Sequence, residues 1–208
     1  MQQGSVEWLN ARVGKVTASR VADVIARTKS GYSASRDAYM SQLLVERLTG
    51  IPAQQYTSPA MQWGTDTEPQ ARDAYSFLHN VRVEQVGLIE HPVIGMSAAS
   101  PDGLVGADGL VEIKCPNTHT HIDTLLSERI PAQYEAQMLW QMACTGRDWC
   151  DFVSFDPRVP AELQIFVKRF HRDAERIASI EAEVIKFLAE LDDKLSALRA
   201  RYYRQEAA

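Results

Sequence analysis

Apolar residues recur every three or four positions in some stretches of this chain and every second position in others. The first spacing is typical of a helix with one buried face, and the second is typical of a half-buried strand. Several helix boundaries are marked by polar residues that favour a start, here Thr17 and Ser35, or by glycines that favour an end, here Gly50 and Gly146. The helices predicted in this way cover residues 18–26, 35–48, 66–79, 131–145 and 172–203, with a shorter helix or loop over 118–129.

The alternating stretches predict strands, two of which enclose a hairpin. In this hairpin, Leu104-Val105 and Leu110-Val111 are joined by Ala107-Asp108-Gly109, and a positive φ is expected at Gly109. The other predicted strands cover residues 81–89, 93–99, 149–155 and 163–170. The predicted loops cover residues 27–34 and 51–60.

The last predicted helix carries a narrow apolar seam at three- and four-residue steps. A seam of this kind packs either on the rest of the domain or on a neighbouring subunit. Its residues are Ile177, Ile180, Val184, Phe187, Leu191, Leu195, Leu198 and Tyr202.

Length and composition are those of an ordinary globular protein, with 208 residues, 45% hydrophobic and 24% charged. We expect a single domain over residues 1–208, with a core over about residues 8–170 and the long helix at the end. No apolar run reaches about 18 residues, and the start lacks a basic region followed by an apolar stretch, so neither a membrane span nor a signal peptide is expected. Three distant cysteines argue against a disulfide framework and favour a reducing cytoplasm.

The net charge of −5 argues against a protein that coats nucleic acid, but not against an enzyme that grips DNA locally. Residues 1–50 carry seven Lys/Arg against four Asp/Glu, whereas residues 51–113 carry two against eight. A basic entrance beside an acidic, cation-collecting centre would produce this asymmetry.

Two acids and a lysine lie in and around the hairpin, in an otherwise apolar setting. Asp102 belongs to a Pro-Asp-Gly turn, and Glu112 and Lys114 share one face of the returning strand because alternate strand residues point the same way. Two carboxylates and a nearby backbone carbonyl suit Mg²⁺ or Mn²⁺, and a lysine beside them can orient a water or offset charge on a phosphate. The cluster is therefore a candidate site for metal-assisted phosphodiester hydrolysis. The alternative is a simple turn followed by a strand with a solvated charge pair.

A second cluster lies at the predicted start of the 18–26 helix, where cations and hydroxyls surround unpaired backbone N–H groups. It consists of Arg12, Lys15, Thr17, Ser19 and Arg20. Such a group can hold a terminal phosphate. The alternative is that Thr17 only caps the helix and the cations are solvated.

Glu68 has two competing roles. Thr65 and Glu68 fit a capping box at the start of the 66–79 helix, in which each side chain bonds the backbone N–H of the other. Glu68 could instead be a further carboxylate at the candidate metal site.

A line of glutamines follows the 131–145 helix at four-residue steps, formed by Gln133, Gln137 and Gln141. This line is either exposed or directed at the carboxylate-bearing strands, where it would contact a phosphate or the attacking water. Two nearby histidines, His119 and His121, do not share a helix face and are predicted to be surface residues or weak phosphate contacts.

The order of these motifs resembles the PD-(D/E)xK nuclease superfamily and, within it, the phage lambda exonuclease family of recombination exonucleases. The resemblance implies an α/β (α+β) fold in which a central mixed sheet is flanked by helices, with a restriction-endonuclease-like core and a long C-terminal helix. It covers most of the chain from Trp8 onwards and rests on five separated blocks in one order. The blocks are Arg12-x-Gly14-x-x-Thr17-Ala18-Ser19, Trp63-Gly64-x-x-x-Glu68, Ser100-Pro101-Asp102-Gly103-Leu104, Glu112-Ile113-Lys114-Cys115-Pro116 and Tyr134-x-Ala136-Gln137-x-x-x-Gln141.

The resemblance also implies a role for individual residues. The implied metal ligands are Asp102, Glu112, the Ile113 backbone carbonyl and Glu68. The residues implied to act on the attacking water or the scissile phosphate are Lys114 and Gln137. The implied pocket for a 5′ phosphate consists of Arg12, Thr17, Ser19 and Ser100, and Met61 stands where an apolar wedge could separate the terminal base pair.

The function implied by the resemblance is an Mg²⁺-dependent 5′-to-3′ exonuclease that digests one strand of linear double-stranded DNA and leaves 3′ overhangs. The implied assembly is a ring-shaped homotrimer that works with a single-strand annealing protein, encoded by a phage or prophage and located in the bacterial cytoplasm. Two other functions stay open, a restriction-type DNA endonuclease and a non-catalytic DNA-end-binding module. A nuclease with an iron–sulfur cluster is disfavoured because four suitably placed cysteines are absent.

Overall fold

The computed structural model describes residues 1–53 and 58–203. Its helices are α1 Val6–Arg12, α2 Val21–Ile25, α3 Ala34–Thr49, α4 Pro59–His79, α5 Thr118–Ser127, α6 Glu135–Thr145 and α7 Ala174–Tyr202. Its strands are β1 Val16–Thr17, β2 Arg27–Thr28, β3 Gly31–Tyr32, β4 Val83–Glu84, β5 Ile89–Glu90, β6 Ser97–Ala99, β7 Gly103–Val105, β8 Gly109–Lys114, β9 Trp149–Phe155 and β10 Ile165–His171. Short 3₁₀ turns cover Ala18–Arg20, Ala132–Tyr134 and Ala161–Leu163.

The main sheet has five strands in the order β10-β9-β8-β7-β4. β8 and β9 run parallel, and the other neighbours are antiparallel. A smaller sheet has the order β1-β6-β5, with β1 parallel to β6. The mixed sheet flanked by helices, with a long C-terminal helix, confirms the predicted fold class.

Alternate residues of β8 enter two different hydrophobic clusters, one on each face of the main sheet. Leu110 packs into the cluster that includes α6 and α7, whereas Val111 and Ile113 pack into a second cluster beneath α4. Glu112 lies on the same face as Leu110 and is fully buried. The strand therefore points an acidic side chain towards α6.

The hairpin between β7 and β8 forms as predicted, but the positive φ falls on Gly106 (φ 55°) rather than on Gly109. Gly109 is required for a different reason. A Cβ at this position would lie 2.1 Å from atoms of the Trp149 ring, which packs against the start of β8.

The predicted start of the 66–79 helix is wrong. α4 begins at Pro59, and Ser58 caps it by accepting a hydrogen bond from the Met61 N–H. A hydroxyl cap followed by proline is a strong start signal, so Thr65 and Glu68 lie inside the helix and form no capping box. Of the predicted 51–60 loop, residues 54–57 lie outside the described residues, and the end of that stretch is helical.

The first two predicted helices also differ from the structure. Thr17 ends β1, and its hydroxyl faces the Arg12 guanidinium (3.5 Å) instead of capping a helix. α3 is capped by Ser33 rather than Ser35, because the Ser33 hydroxyl accepts the Arg36 N–H. The predicted 27–34 loop contains the short hairpin β2-β3.

Three further predictions have definite outcomes. The α7 seam is buried from Ile177 to Leu195, but Tyr202 is 70% exposed, so the seam ends before the helix does.

His119 is exposed as expected. His121 is fully buried between Ser154 Oγ (2.8 Å) and the Leu163 carbonyl (2.7 Å), so it is neither a surface residue nor a phosphate contact.

Candidate active site

The end of β8 brings the two acids and the lysine together. Glu112 and Lys114 project from the same face of the strand, and Lys114 Nζ lies 2.5 Å from Glu112 Oε1. Asp102 lies in the turn between β6 and β7, where its Oδ2 accepts the Ile113 N–H at 2.7 Å. This hydrogen bond fixes the Asp102 carboxylate beside the Glu112 and Lys114 positions.

Two glutamine amides from α6 converge on the Glu112 carboxylate. Gln137 Nε2 donates to Oε1 at 2.6 Å, and Gln141 Nε2 donates to Oε2 at 2.5 Å. Gln141 is fully buried, whereas Gln133, the third residue of the line, is exposed. The sequence prediction assigned Gln137 to the site and omitted Gln141, although the four-residue spacing placed both on one helix face.

Glu68 reaches the site from the middle of α4. Its carboxylate is paired with Arg72, one turn further along the same helix. Withdrawal from water raises the pKa of Glu68; the Arg72 guanidinium lowers it, and Glu112 raises it again. Glu68 is therefore close enough to Glu112 and Lys114 for their charges to shift its pKa.

Burial and the concentration of negative charge both shift pKa values at the site. Burial, and then the Glu112 and Glu68 carboxylates, raise the pKa of Asp102 well above its ordinary value. Burial alone would lower the pKa of the Lys114 ammonium, but Glu112 and Asp102 outweigh it and the pKa is raised. Lys114 therefore stays protonated and partly neutralises the acids.

These side chains line one cavity of about 190 Å³. The predicted site residues that line it are Arg12, Thr17, Ser19, Glu68, Ser100, Asp102, Glu112, Ile113, Lys114 and Gln137. Gln3 and Trp8 line it as well and were not predicted. Parts of both sequence clusters thus form walls of the same cavity: the acids with Lys114 form one wall, and Arg12, Thr17 and Ser19 form another, whereas Lys15 and Arg20 do not line it.

The other wall of this cavity is basic and hydroxyl-rich. The Arg12 guanidinium stacks over the Trp8 ring (4.0 Å to its centre), and Trp8 Nε1 donates to Ser100 Oγ at 2.9 Å. Within residues 1–53 and 58–203, Arg12 forms no salt bridge with an acidic side chain. Burial lowers the pKa of this guanidinium, although Tyr39 and Glu46 raise it. A bound anion would offset the cost of burying the charge.

Met61 does not line this cavity. It is 53% exposed and lines a neighbouring cavity of about 470 Å³, which shares Arg12, Thr17 and Ser19 with the first. The predicted wedge position is therefore beside the candidate site and on its basic side.

The donor chemistry of the site fits a hard divalent cation. Asp102 and Glu112 offer carboxylate oxygens, and Ile113 offers a backbone carbonyl. A cation would offset the burial and the repulsion that together raise the pKa of Asp102. Among the described residues, no three His, Cys, Asp or Glu side chains form a ready-made metal-binding group. The fit therefore depends on two carboxylates and a carbonyl, with Glu68 as an accessory group.

Known structures share this fold closely. The alkaline exonuclease LHK-Exo from Laribacter hongkongensis is 52% identical, with a TM-score of 0.88 over 95% of this chain and 97% of that chain. Its complex with dAMP matches at the same identity and coverage with a TM-score of 0.89. A phage-related exonuclease from Haemophilus somnus 129PT has a TM-score of 0.73 at 18% identity, over 88% and 96% of the two chains, and shows the fold alone.

By fold and sequence, the chain is similar to the alkaline exonuclease LHK-Exo. Residues 7–148 match the YqaJ-like viral recombinase domain, and the chain belongs to this family. A curated relative, the uncharacterized protein R354 of Acanthamoeba polyphaga mimivirus, is 27% identical over 168 residues. That match covers 73% of this chain and 29% of the relative, so the chain spans less than a third of its length. No helix in residues 1–53 and 58–203 is long and apolar enough to cross a membrane.

Proposed function

We propose that this protein is an Mg²⁺-dependent 5′-to-3′ exonuclease that digests one strand of linear double-stranded DNA and leaves a 3′ overhang. The observation that carries the proposal is one cavity lined both by an acidic wall, Asp102 and Glu112 with Lys114, and by a basic wall containing Arg12. Such a cavity can hold a scissile phosphate at one wall and a terminal phosphate at the other. The family match and the likeness to an alkaline exonuclease support a nuclease.

In this proposal Asp102, Glu112 and the Ile113 carbonyl hold Mg²⁺, or Mn²⁺ as a substitute, and Glu68 reaches the ion or its waters. When bound, the ion supplies Lewis-acid activation of water and stabilises the charge that develops on the phosphate. Glu112 is kept in place by Gln137 and Gln141, so one carboxylate orientation is preorganised.

Lys114 has two tasks at the reacting phosphate. Its ammonium orients the attacking water and offsets the negative charge of the scissile group. The raised pKa keeps it protonated, so it acts through charge and hydrogen bonds rather than as a base. Gln137, on the same wall, is placed to contact the water or a phosphate oxygen.

The basic wall binds the 5′ phosphate of the strand being digested. Arg12 supplies the charge, and the hydroxyls of Thr17, Ser19 and Ser100 supply hydrogen bonds. Met61, in the adjoining cavity, would press on the terminal base pair and help to separate the strands.

The test is digestion of linear duplex DNA with Mg²⁺, labelled at either end of each strand and with or without a 5′ phosphate, beside a closed circular duplex. Release of mononucleotides from phosphorylated 5′ ends, with the circle intact, is the expected result. Cutting of the circle would favour the endonuclease, and binding of ends without cleavage under Mg²⁺ or Mn²⁺ would favour the non-catalytic module.

Arg12→Ala is expected to slow digestion of 5′-phosphorylated ends by about 10- to 100-fold, because a hydrogen bond to a charged group contributes about 1.5–3 kcal/mol. Digestion of 5′-hydroxyl ends should change much less. The ratio of the two rates, measured on otherwise identical duplexes, checks this prediction. Equal losses of rate on both kinds of end would show that Arg12 does not bind the 5′ phosphate.

Gln141→Leu is expected to lower the rate of digestion by roughly 10- to 100-fold, because a carboxylate that loses a positioning partner binds metal less well. The variant also leaves Glu112 Oε2 buried without that donor, so its melting temperature should fall. Gln133→Leu, at the exposed end of the same glutamine line, is the matched control and should match the wild type in both measurements. Equal behaviour of the two variants would contradict the role of Gln141.

The assembly and partners follow the same family resemblance. We propose a ring-shaped homotrimer that encloses duplex DNA and hands the 3′ overhang to a single-strand annealing protein in the bacterial cytoplasm. A ring needs positive charge only in its channel, which is compatible with a net charge of −5. Light scattering of the purified protein with and without duplex DNA tests the trimer.

A further inference from the structure

An ion pair between a buried acid and a partly exposed arginine follows the end of β9, which lies next to the catalytic strand. Asp156 is fully buried, and Arg158 donates to it from its backbone N–H (3.0 Å), from Nε (2.7 Å) and from Nη2 (2.9 Å). Burial would raise the pKa of Asp156, but the Arg158 and Thr118 hydrogen bonds lower it to about 2. Because β8 and β9 are parallel, this pair lies at the same edge of the sheet as Lys114.

The Arg158 guanidinium also touches two other segments. Its Nη2 donates to the Pro116 carbonyl at 3.2 Å, just after β8 ends. The guanidinium carbon lies 4.2 Å from the centre of the Trp63 ring, which belongs to α4. One side chain therefore joins the ends of two sheet strands to the first half of α4.

Glu68 lies on α4 between two attachments to the sheet. Tyr75 donates to Asp151 of β9 at 2.7 Å on one side, and Trp63 rests against Arg158 on the other. The Arg72 partner of Glu68 belongs to the same helix and cannot fix the helix relative to β8. Trp63 precedes Glu68 by five residues, which is roughly 7.5 Å along a helix.

We infer that Arg158 is a positioning residue that sets where the Glu68 carboxylate stands relative to Asp102 and Glu112, by holding Trp63 and the chain after β8 in one cluster. This inference rests on the proposed function, since it assigns Glu68 a place at the metal. Loss of the Arg158 contact lets the first half of α4 shift relative to β8, because the attachments through Ala71 and Tyr75 lie in its second half. A misplacement of about 1 Å at a reacting centre can cost up to roughly 100-fold in rate.

The chain offers a matched control of the same chemistry. Arg169 bonds the buried Asp151 through two nitrogens (2.8 and 2.9 Å) and stacks 3.5 Å from the centre of the Trp149 ring. The exposed fractions of the two arginine side chains are nearly equal, 43% for Arg158 and 45% for Arg169. Trp149 belongs to the sheet rather than to α4, and the Tyr75 bond to Asp151 does not involve Arg169.

The experiment compares Arg158→Ala, Trp63→Ala, Trp63→Phe and Arg169→Ala with the wild type. Four quantities are measured for each: kcat and KM on 5′-phosphorylated linear duplex, the melting temperature in EDTA, and the Mg²⁺ concentration at half of the Mg²⁺-induced rise in melting temperature. Arg158→Ala and Trp63→Ala should lower kcat about 10-fold with KM within about 3-fold, and should raise the Mg²⁺ midpoint several-fold. Trp63→Phe keeps an aromatic face for the guanidinium, so its kcat and its Mg²⁺ midpoint should stay close to those of the wild type.

Arg169→Ala should lower the melting temperature as much as Arg158→Ala, while kcat and the Mg²⁺ midpoint stay within about 3-fold of the wild type. Equal changes in both arginine variants would reduce Arg158 to a structural residue and overturn the inference. A raised KM with unchanged kcat in Arg158→Ala would overturn it too, because the guanidinium would then contact DNA. Failure of the wild type to digest DNA would refute the proposed nuclease, whereas the Mg²⁺ midpoints would still test the positioning role.

Discussion

Replacing Asp102 with asparagine should abolish DNA hydrolysis and, without metal, raise the free energy of unfolding. The amide can still accept the Ile113 N–H, but it cannot supply the charge that a hard divalent cation requires. Since a bound metal contributes several kcal/mol to the transition state, the rate should fall by at least about 1,000-fold. The stability gain should be about 1 kcal/mol, the size typical of a single stabilising substitution made at the expense of activity.

The stability gain of Asp102→Asn should depend on pH. The folded state raises the pKa of Asp102 above the unfolded value, so folding favours its protonated form. The free energy of unfolding of the wild type is therefore highest below the ordinary aspartate pKa. It falls as the pH rises from that value through the raised pKa of the folded state. The asparagine variant lacks this loss, so the difference between the two proteins should grow with pH and then level off.

Urea unfolding in EDTA at several pH values measures this difference. Asp108→Asn is the control, because Asp108 lies exposed in the adjacent hairpin turn and should leave stability and activity unchanged. A wild type that remains as stable as Asp102→Asn at high pH would show that the acidic wall carries no repulsion. An active Asp102→Asn enzyme would show that Asp102 is not a required metal ligand.

The acidic wall was predictable from sequence because its geometry is local. The two-residue period of β8 places Glu112 and Lys114 on one face, and the hairpin brings Asp102 back beside them. The parallel pairing of β8 with β9 was not predictable in this way. It depends on α5 and α6 carrying the chain back to the end of the sheet at which β8 begins.

Glu68 and Gln141 show where local signals fail. Thr65 and Glu68 have the spacing of a capping box, but Ser58 and Pro59 provide an earlier and stronger start for the same helix. The four-residue glutamine spacing predicted one shared helix face, but α6 begins only at Glu135. Gln133 lies in the preceding 3₁₀ turn and is exposed, whereas Gln141 lies on α6 and donates to Glu112.

The need for Gly109 arises from a distant residue. Its sequence context suggested a turn with positive φ, whereas the structural requirement is the close approach of Trp149 from β9. A similar reason explains His121, whose two ring nitrogens are both engaged by segments far away in the chain. Contacts of this kind have no local pattern.

Lys114→Ala should abolish hydrolysis as Asp102→Asn does, but with the opposite effect on stability. Without the ammonium, the buried Glu112 carboxylate keeps two glutamine donors and no counter-charge. Breaking a fully buried pair costs roughly 3–5 kcal/mol, and we expect about 2–3 here because Lys114 is 27% exposed. The rate should fall by at least about 100-fold, since a charge aimed at the transition state is lost.

Urea unfolding in EDTA and with Mg²⁺ measures the stability change, and anisotropy of a labelled duplex in Ca²⁺ should show that DNA binding persists. Mg²⁺ should recover part of the lost stability of Lys114→Ala, because a second cation can replace the missing charge. A variant as stable as the wild type in EDTA would mean that the glutamines alone satisfy Glu112. The double variant Asp102→Asn/Lys114→Ala separates the contributions: removing one of the two acids that Lys114 neutralises should shrink the cost of Lys114→Ala, so the two effects should not add.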